Sequence, residues 1–173
     1  NKAYVKIIDL SEKRLNELKD IYGTDNIDYI LSTESSIEEA LKDSDLVIGA
    51  VYVIGKQAPK VVKNNMLENM KSGAVMVDIS IDQGGCFESS RPTTHDEPTY
   101  LHNGVLHYCV TNMPGAVPLT ATEALNKATL SYVLELANKG IEIALSENLH
   151  LANGLNIKNG KVVHEAVKEA LTS

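Results

Sequence analysis

The chain contains 173 residues, of which 16 are basic and 23 are acidic, so its formal net charge at pH 7 is -7. This balance, without any basic cluster, argues against binding to a nucleic-acid backbone. The longest apolar run, Leu46 to Ile54, is far shorter than the roughly 20 residues that a membrane-spanning helix needs, and no signal-peptide pattern occurs. We therefore expect a soluble, cytoplasmic protein with no membrane partner.

Cysteine and histidine usage also limits the possible sites. Cys86 and Cys109 lack the CxxC spacing of a metal or redox motif and are expected to be buried or free thiols. The five histidines are scattered, and no two of them form a ligand pair at helical spacing, so no metal site is expected. The length suits one domain, or one domain with an appendage.

The first two-thirds of the chain alternates strand and helix patterns. The segments predicted to be strands are residues 5–8, 27–31, 46–51, 74–79 and 106–110. Between them we predict a helix that Ser11 caps and Gly23 ends, and a short helix that a capping box of Ser36 and Glu39 opens. A third helix ends at Gly73. Strands joined by helices of this length predict an α/β fold with a doubly wound parallel sheet.

The last third shows a different pattern. A second capping box, Thr120 with Glu123, is expected to open a helix that runs to about residue 138, and another helix should follow over residues 141–151. Residues 155–163 predict a hairpin, because Asn159 and Gly160 supply the two positive-φ residues of a type I′ turn. A short helix over residues 164–171 follows the hairpin.

The most informative stretch for chemistry is VDISIDQGGCFESSRPTT, residues 77–94. Asp82 follows an apolar strand and precedes Gly84 and Gly85, an arrangement with which α/β enzymes place an ionisable group against a ligand. Arg91, after this glycine pair, suits bidentate binding of a carboxylate or a phosphate. A surface salt bridge is the alternative interpretation of Arg91.

Two further residues fit a dinucleotide site at the carboxyl ends of the strands. Asp9 ends a strand just before a helix, where an acid accepts hydrogen bonds from the adenosine ribose hydroxyls and repels a 2′-phosphate. A solvated or helix-capping aspartate is the common alternative. Gly49 either lets the backbone approach a bound group or serves packing, and the sequence leaves both interpretations open.

Four segments, in this order along the chain, resemble the C-terminal half of bacterial L-alanine dehydrogenase: IIDL, LVIGAVYVIGKQAPK, VDISIDQGGCFESSRPTTHDEPTY and HYCVTNMPGAVPLTAT. The resemblance runs over nearly the whole chain. Its IDQGGC…SRPTT and YCVTNMPGAVP segments favour this family over other Rossmann-fold enzymes. The run Asp82-Gln83-Gly84-Gly85 also argues against the nearest relative, the NAD-binding part of proton-translocating transhydrogenase.

The resemblance implies NAD as the cofactor. Asp9 resembles the ribose-binding acid, Arg14 a basic residue near the adenosine end, and Ser32 a position beside the adenine. Asp82 resembles the acid that helps to hold the substrate and to relay protons, which makes it the candidate catalytic residue. The cofactor-binding residues that the resemblance implies are Asp9, Arg14, Ser32, Val51, Tyr52, Ile79, Ser80, Ile81, Asp82, Arg91, Val110, Thr111, Asn112 and Met113. Tyr52 departs from the family, which more often has leucine there.

The activity that the resemblance implies is the reversible oxidative deamination of L-alanine to pyruvate and ammonium, with hydride transfer to NAD. Family members are usually hexamers, so the resemblance also implies a homohexamer for the intact enzyme. In this family the catalytic histidine lies in the N-terminal half of the protein. We therefore interpret His95 and His107 as structural residues.

No GxGxxG motif occurs, although the resemblance places it just before Asn1. We therefore expect a C-terminal fragment, inactive on its own. Residues 1–118 would form a partial Rossmann domain without its first strand, and residues 119–173 a helical and hairpin segment of the substrate domain. The strands over residues 5–9 and 46–51 should then flank either a gap or a distorted or intermolecular pairing that fills it. Residues 120–173 should expose an apolar face. A transhydrogenase-type nucleotide-binding module and a non-catalytic fragment that binds only nucleotide or partner subunits stay open as alternatives.

Overall fold

The computed structural model describes residues 2–172. Asn1 and Ser173, the two ends of the predicted domains, lie outside the described residues. The chain forms two compact units. The first contains the residues up to Val51 together with Ala58–Thr111, and the second contains Tyr52–Gln57 and the residues from Asn112 onward. The assignment of residues 119–173 to a substrate domain stays a prediction. Over residues 2–172, every helix is too short or too polar to cross a membrane.

The first unit is built on parallel strands. Its strands are β1 (Val5–Asp9), β2 (Ile27–Leu31), β3 (Leu46–Gly49), β4 (Val75–Asp78), β5 (Thr99–His102) and β6 (Val105–Tyr108). β1 pairs in parallel with β2, and a second sheet has the order β3-β4-β6-β5. In that sheet β3, β4 and β6 are parallel, whereas β5 is antiparallel to β6. The predicted α/β class with a predominantly parallel sheet is confirmed.

β1 and β3 belong to different sheets. In a dinucleotide sheet of order 3-2-1-4-5-6 these two strands flank the first strand. Over residues 2–172, β1 pairs only with β2 and β3 pairs only with β4. Among the described residues, the two strands therefore have no shared neighbour, as predicted.

Strand β5 is not predicted from the sequence. Four residues are too few to show a clear alternation of apolar and polar side chains. The signal lies instead in the turn that joins β5 to β6, where Asn103 and Gly104 have φ of 51° and 77°. An Asn-Gly pair with two positive φ angles is typical of a tight hairpin, and it is the same signal that predicts the hairpin at Asn159 and Gly160.

The helices of the first unit are α1 (Glu12–Tyr22) and α2 (Glu34–Leu41). Ser11 caps α1 as predicted, because its hydroxyl accepts a hydrogen bond from the amide of Arg14. The predicted capping box of Ser36 and Glu39 is wrong. Thr33 is the N-cap of α2, and the Thr33 and Ser36 hydroxyls each accept from the other residue's backbone amide. The helix begins earlier than predicted because Thr33 supplies the cap.

The segment that ends near Gly73 forms a 3₁₀ helix over Asn64–Asn69 instead of the predicted α-helix. Met66, Leu67 and Met70 are buried in the core of the unit. Met66 and Leu67 lie within the 3₁₀ helix, and Met70 is the extended residue that follows it. This short segment therefore supplies three apolar side chains to the core without a full α-helix.

The second unit contains helices and one hairpin. Its elements are α3 (Pro118–Lys139), α4 (Ile141–Glu147), α5 (Leu149–Asn153), β7 (Ile157–Lys158), β8 (Lys161–Val162) and α6 (Glu165–Thr172). The predicted capping box of Thr120 and Glu123 is wrong, because α3 begins at Pro118, a residue that suits the first helical position. The helix predicted over residues 141–151 is broken at Asn148, whose side-chain oxygen caps α5 by accepting from the amide of His150.

The hairpin of the second unit is confirmed: Asn159 and Gly160 have φ of 51° and 75°. The second unit also exposes apolar side chains, as predicted, and several of the large ones lie on α3. None of the 22 residues of α3 is buried. The exposed large apolar side chains of this helix are Leu119, Leu125, Leu130, Tyr132, Val133 and Leu134.

Candidate functional site

The candidate site lies at the carboxyl ends of the parallel strands of the first unit. At the end of β1, Oδ1 of Asp9 accepts from the amide of Ser11 at 2.7 Å. The carbonyl oxygen of Asp9 accepts from the amide of Ser32 at 2.9 Å, which brings these two predicted site residues together. Over residues 2–172, Asp9 Oδ2 accepts no hydrogen bond. One oxygen thus serves the turn, as the capping interpretation expects, and the other is available to a ligand. Arg14 is exposed on α1 and pairs with Glu17 at 3.1 Å.

The carboxylate that ends the buried strand β4 is Asp78, which is not among the residues predicted from the sequence. Its side chain is fully buried, and Oδ1 accepts from the amide of Ser80 at 2.9 Å. Oδ2 accepts from the amide of Cys86 at 2.8 Å and from the Ser90 hydroxyl. A polar group inside VMVDIS, a strand of apolar residues, is the signal that was available, because a buried carboxylate needs several donors. Asp78 thereby organises the turn that follows the strand.

Asp82 lies beyond the strand, in a 3₁₀ helix over Ile79–Gln83. The glycine pair then reverses the chain: Gly84 and Gly85 have φ of 88° and 75°. A Cβ at Gly85 would lie 2.8 Å from Oδ2 of Asp78, so only glycine fits there. The Asp82 side chain is exposed and has no hydrogen bond or ion pair within the described residues. Its carboxylate is therefore available to a ligand.

The Ser80 side chain connects the ends of β3 and β4. Its hydroxyl donates to the carbonyl oxygen of Val51 and accepts from the Val51 amide, both at 2.8 Å. Ser80, Ile81 and Val110 are buried, at 7%, 4% and 0% exposure. Val110 therefore has no surface available to a cofactor in this structure, and Ser80 and Ile81 have little. Ile79, by contrast, is 53% exposed.

Arg91 is held by an aromatic ring. Its guanidinium carbon lies 4.0 Å from the centroid of the Tyr100 ring, and its amide donates to the Tyr100 hydroxyl at 2.9 Å. Over residues 2–172, Arg91 forms no ion pair, so the salt-bridge alternative is not what the structure shows. The guanidinium is thus oriented by stacking while its donors remain available to an anion. Burial and the hydrogen bond to the Cys109 thiol raise the pKa of Tyr100 above its usual range.

The ring of His107 stacks on the ring of Tyr100, with 5.0 Å between the ring centroids. It is fully buried, with Nε2 2.7 Å from the Ser89 hydroxyl and Nδ1 3.1 Å from the carbonyl oxygen of Val105. Burial lowers the pKa of His107. Both ring nitrogens have partners, in agreement with the structural interpretation of this residue. His95 is exposed in the loop before β5.

Gly49 serves packing. A Cβ at this position would lie 2.4 Å from Sγ of Cys86 and 2.6 Å from the ring of Phe87. Both of those side chains are buried. Of the two interpretations of Gly49, packing is therefore the one that the structure supports, because protein side chains fill the space beside this residue. Burial, followed by the nearby Asp78 charge, raises the pKa of the Cys86 thiol to about 12.

The remaining predicted site residues are divided between the two units. Thr111 belongs to the first unit, and its amide donates to the carbonyl oxygen of Thr93 at 3.2 Å. Tyr52, Asn112 and Met113 belong to the second unit. Tyr52 is 71% exposed, and Asn112 has a left-handed backbone with φ of 54°. Within residues 2–172, no group of three or more metal-ligating side chains occurs.

The chain is similar to alanine dehydrogenases over almost all of its length. It is 52% identical over 168 residues to the alanine dehydrogenase of Halomonas elongata, and the match covers 97% of this chain and 45% of that protein. It is also 52% identical over 170 residues to the alanine dehydrogenase of Staphylococcus saprophyticus, with 98% of this chain and 46% of that protein covered. The chain therefore spans about half the length of the curated relatives it matches.

Solved structures agree with this similarity. A structure of L-alanine dehydrogenase superposes with a TM-score of 0.83 at 46% identity, over 98% of this chain and 46% of that one. A transhydrogenase from Sinorhizobium meliloti superposes with a TM-score of 0.68 at 21% identity, over 95% of this chain and 43% of that one, and this likeness shows the fold alone. The family profile described as alanine dehydrogenase/PNT, C-terminal domain, matches residues 2–165. The chain thus belongs to the alanine dehydrogenase/PNT C-terminal domain family.

Proposed function

We propose that the chain is the nucleotide-binding part of an NAD-dependent alanine dehydrogenase. The observation that carries this proposal is the 52% identity to an alanine dehydrogenase over 97% of the chain. The reaction is the reversible conversion of L-alanine, NAD⁺ and water to pyruvate, ammonium, NADH and a proton. When bound, the nicotinamide supplies the acceptor for the hydride that leaves the α-carbon of alanine.

The residues at the strand ends fit a dinucleotide. Oδ2 of Asp9, without a protein partner over residues 2–172, suits hydrogen bonds from two ribose hydroxyls and disfavours a 2′-phosphate. The backbone beside Asp9 is fixed by its bond to Ser32, so this edge is preformed. Arg91, stacked on Tyr100, offers an oriented guanidinium for a phosphate or carboxylate group.

Asp82 is the group on this chain that we assign to proton handling. Its carboxylate is exposed at the carboxyl end of the parallel sheet and is not engaged by any other described side chain. A carboxylate in that position orients the substrate by accepting a hydrogen bond, and it accepts or returns a proton as the amine becomes a carbonyl. We expect the other substrate-binding groups, including the catalytic histidine, on the part of the enzyme outside this chain.

The arrangement of the intact enzyme follows from the same proposal. Residues 1–118 belong to the NAD-binding domain, and residues 119–173 belong to the substrate domain. We expect L-alanine, pyruvate and ammonium as substrates, assembly as a homohexamer, and a cytoplasmic location. The exposed apolar face of α3 is consistent with a role in packing against the rest of such an enzyme.

Turnover assays on the intact enzyme test the proposal. With L-alanine and NAD, NADH should accumulate, and the 173-residue chain alone should produce none. A matched assay with a reduced nucleotide as the hydride donor and a second oxidised nucleotide as the acceptor tests the transhydrogenase alternative. Hydride exchange between nucleotides without any alanine oxidation would contradict the proposed function.

A further inference from the structure

The turn that follows Asp82 has a hydrogen-bond partner for each of its carbonyl groups. Two of these groups accept from backbone amides of residues 58–62: Gln83 from Ala58 at 2.9 Å, and Cys86 from Val61 at 2.8 Å. The carbonyl oxygens of Gly84 and Gly85 lie between them, and both accept from the ammonium group of Lys60, the second at 2.8 Å. A single side chain therefore holds both carbonyl groups of the glycine pair.

The amides of Gly84 and Gly85 donate to the carbonyl oxygens of Ile81 and Ser80, both at 3.0 Å, and the next two amides along the chain donate to Asp78. Oδ2 of Asp78 accepts from the amides of Cys86 at 2.8 Å and Phe87 at 3.4 Å. Because the Asp78 side chain is fully buried, these bonds are shielded from water. The buried carboxylate of Asp78 and the ammonium group of Lys60 thus both hold the glycine turn.

Lys60 uses its charge differently from the lysines around it. Lys71, for example, is an exposed lysine of the same unit that pairs with Asp45 at 2.8 Å. Within residues 2–172, Lys60 pairs with no carboxylate, and its hydrogen bonds go to two neutral carbonyl groups. An ion pair on the surface contributes little to the stability of the fold. A charged donor on two backbone acceptors of a tight glycine turn fixes the path of the chain.

We propose that Lys60 and Asp78 are positioning residues for Asp82. The Asp82 carboxylate has no side-chain partner among the described residues, so its place depends on the backbone of the 3₁₀ helix and of the glycine turn that ends it. Movement of that turn moves Asp82 relative to the substrate, and a displacement of about 1 Å can cost on the order of 10²-fold in rate. This inference rests on the proposed function, in which Asp82 handles protons.

The test uses Lys60→Met in the intact enzyme, because Lys60 is exposed and its loss leaves the core unchanged. The kcat for alanine oxidation should fall by on the order of 10-fold to 10²-fold, while the affinity for NAD stays within about 2-fold. Lys60→Arg, which retains a charged donor, should restore part of the lost kcat. In an Asp82→Asn background, Lys60→Met should cause no further loss, because the carboxylate that it positions is absent.

A second measurement does not depend on turnover. Amide hydrogen exchange of Cys86 and Phe87 should accelerate by about 10-fold in Lys60→Met, since loss of a charge-assisted bond loosens the turn. Lys71→Met is the matched control and should change neither kcat nor exchange in this turn. Unchanged exchange in Lys60→Met, or losses that multiply in the Asp82→Asn background, would overturn the inference. Failure of the wild-type enzyme to oxidise alanine would instead contradict the proposed function.

Discussion

The hydroxyl of Ser80 makes two hydrogen bonds to the backbone of Val51, donating to its carbonyl oxygen and accepting from its amide. The ladder between β3 and β4 ends at the pair Gly49 and Asp78, where the chain turns into a 3₁₀ helix. The backbone of that helix no longer offers ladder partners to β3. The Ser80 side chain replaces them and holds the two strand ends together.

Replacing Ser80 should therefore cost more than the loss of an ordinary hydroxyl. Ser80→Ala leaves both backbone groups of Val51 without a partner in a largely buried place, and the free energy of unfolding should fall by about 1–3 kcal/mol. Urea unfolding measures this change. Ser146→Ala, which removes an exposed hydroxyl bound to a helix carbonyl, is the control and should cost less than about 0.5 kcal/mol. Equal losses in the two variants would contradict the bridging role.

Cofactor preference should depend on Asp9. Asp9→Asn retains an oxygen to accept from the Ser11 amide but removes the charge that repels a 2′-phosphate. Binding of NAD should weaken and binding of NADP should strengthen, so that their affinity ratio narrows by on the order of 10-fold. Titration of both nucleotides into the intact enzyme measures the ratio. Asp20→Asn, an exposed acid on α1, should leave it unchanged, and an unchanged ratio in Asp9→Asn would remove Asp9 from the site.

Turnover should depend on Asp82. Asp82→Asn preserves the size of the side chain but removes the proton acceptor, so kcat should fall by about 10²-fold or more. The affinity for NAD should stay near the wild-type value, because no other described side chain depends on this carboxylate. Steady-state kinetics at saturating alanine, with Asp25→Asn as an exposed control, measure the effect. Near-normal kcat would reduce Asp82 to a structural acid.

Stability should fall on mild acidification because of His107. Burial lowers the pKa of this residue below its ordinary value of 6.5, so the folded chain resists the proton that the unfolded chain binds. The free energy of unfolding is therefore highest above pH 6.5, and it decreases as the pH falls below that value, by at most about 1.4 kcal/mol per pH unit for one group.

The control for this effect is His107→Asn, which keeps a donor for the Val105 carbonyl oxygen but does not titrate. Its stability should change less between pH 7 and pH 5.5 than that of the wild type. Urea unfolding at a series of pH values gives both curves. Parallel curves would assign the acid sensitivity to other groups.

Much of the first unit is predictable from periodicity. The apolar runs that form β1 to β4 and β6 are strong signals, and Ser11 marks the start of α1 correctly. Caps are harder to place, because Thr33 and Ser36 are equally good capping residues by type. The choice between them depends on which one follows the strand with an extended backbone, and that depends on the tertiary fold.

The candidate site likewise contains residues that the sequence predicts and residues that it does not. Asp9, Asp82 and Arg91 stand out by their position after strands and glycines, and the structure places all three with polar atoms available to a ligand. Asp78 and Lys60 do not stand out, because their importance lies in contacts with a turn some distance along the chain. Contacts of that kind depend on how the elements pack, which no local pattern in the sequence reports.

The separation of β1 and β3 has a consequence for how the chain associates with other copies of itself in solution. Each strand has an edge that is not paired with another strand of residues 2–172, and Leu46 and Ile48 of β3 are 56% and 58% exposed. Open edges with apolar side chains are templates on which other chains add strand by strand. We therefore expect this polypeptide, when it is kept by itself, to associate through these two edges as its concentration rises.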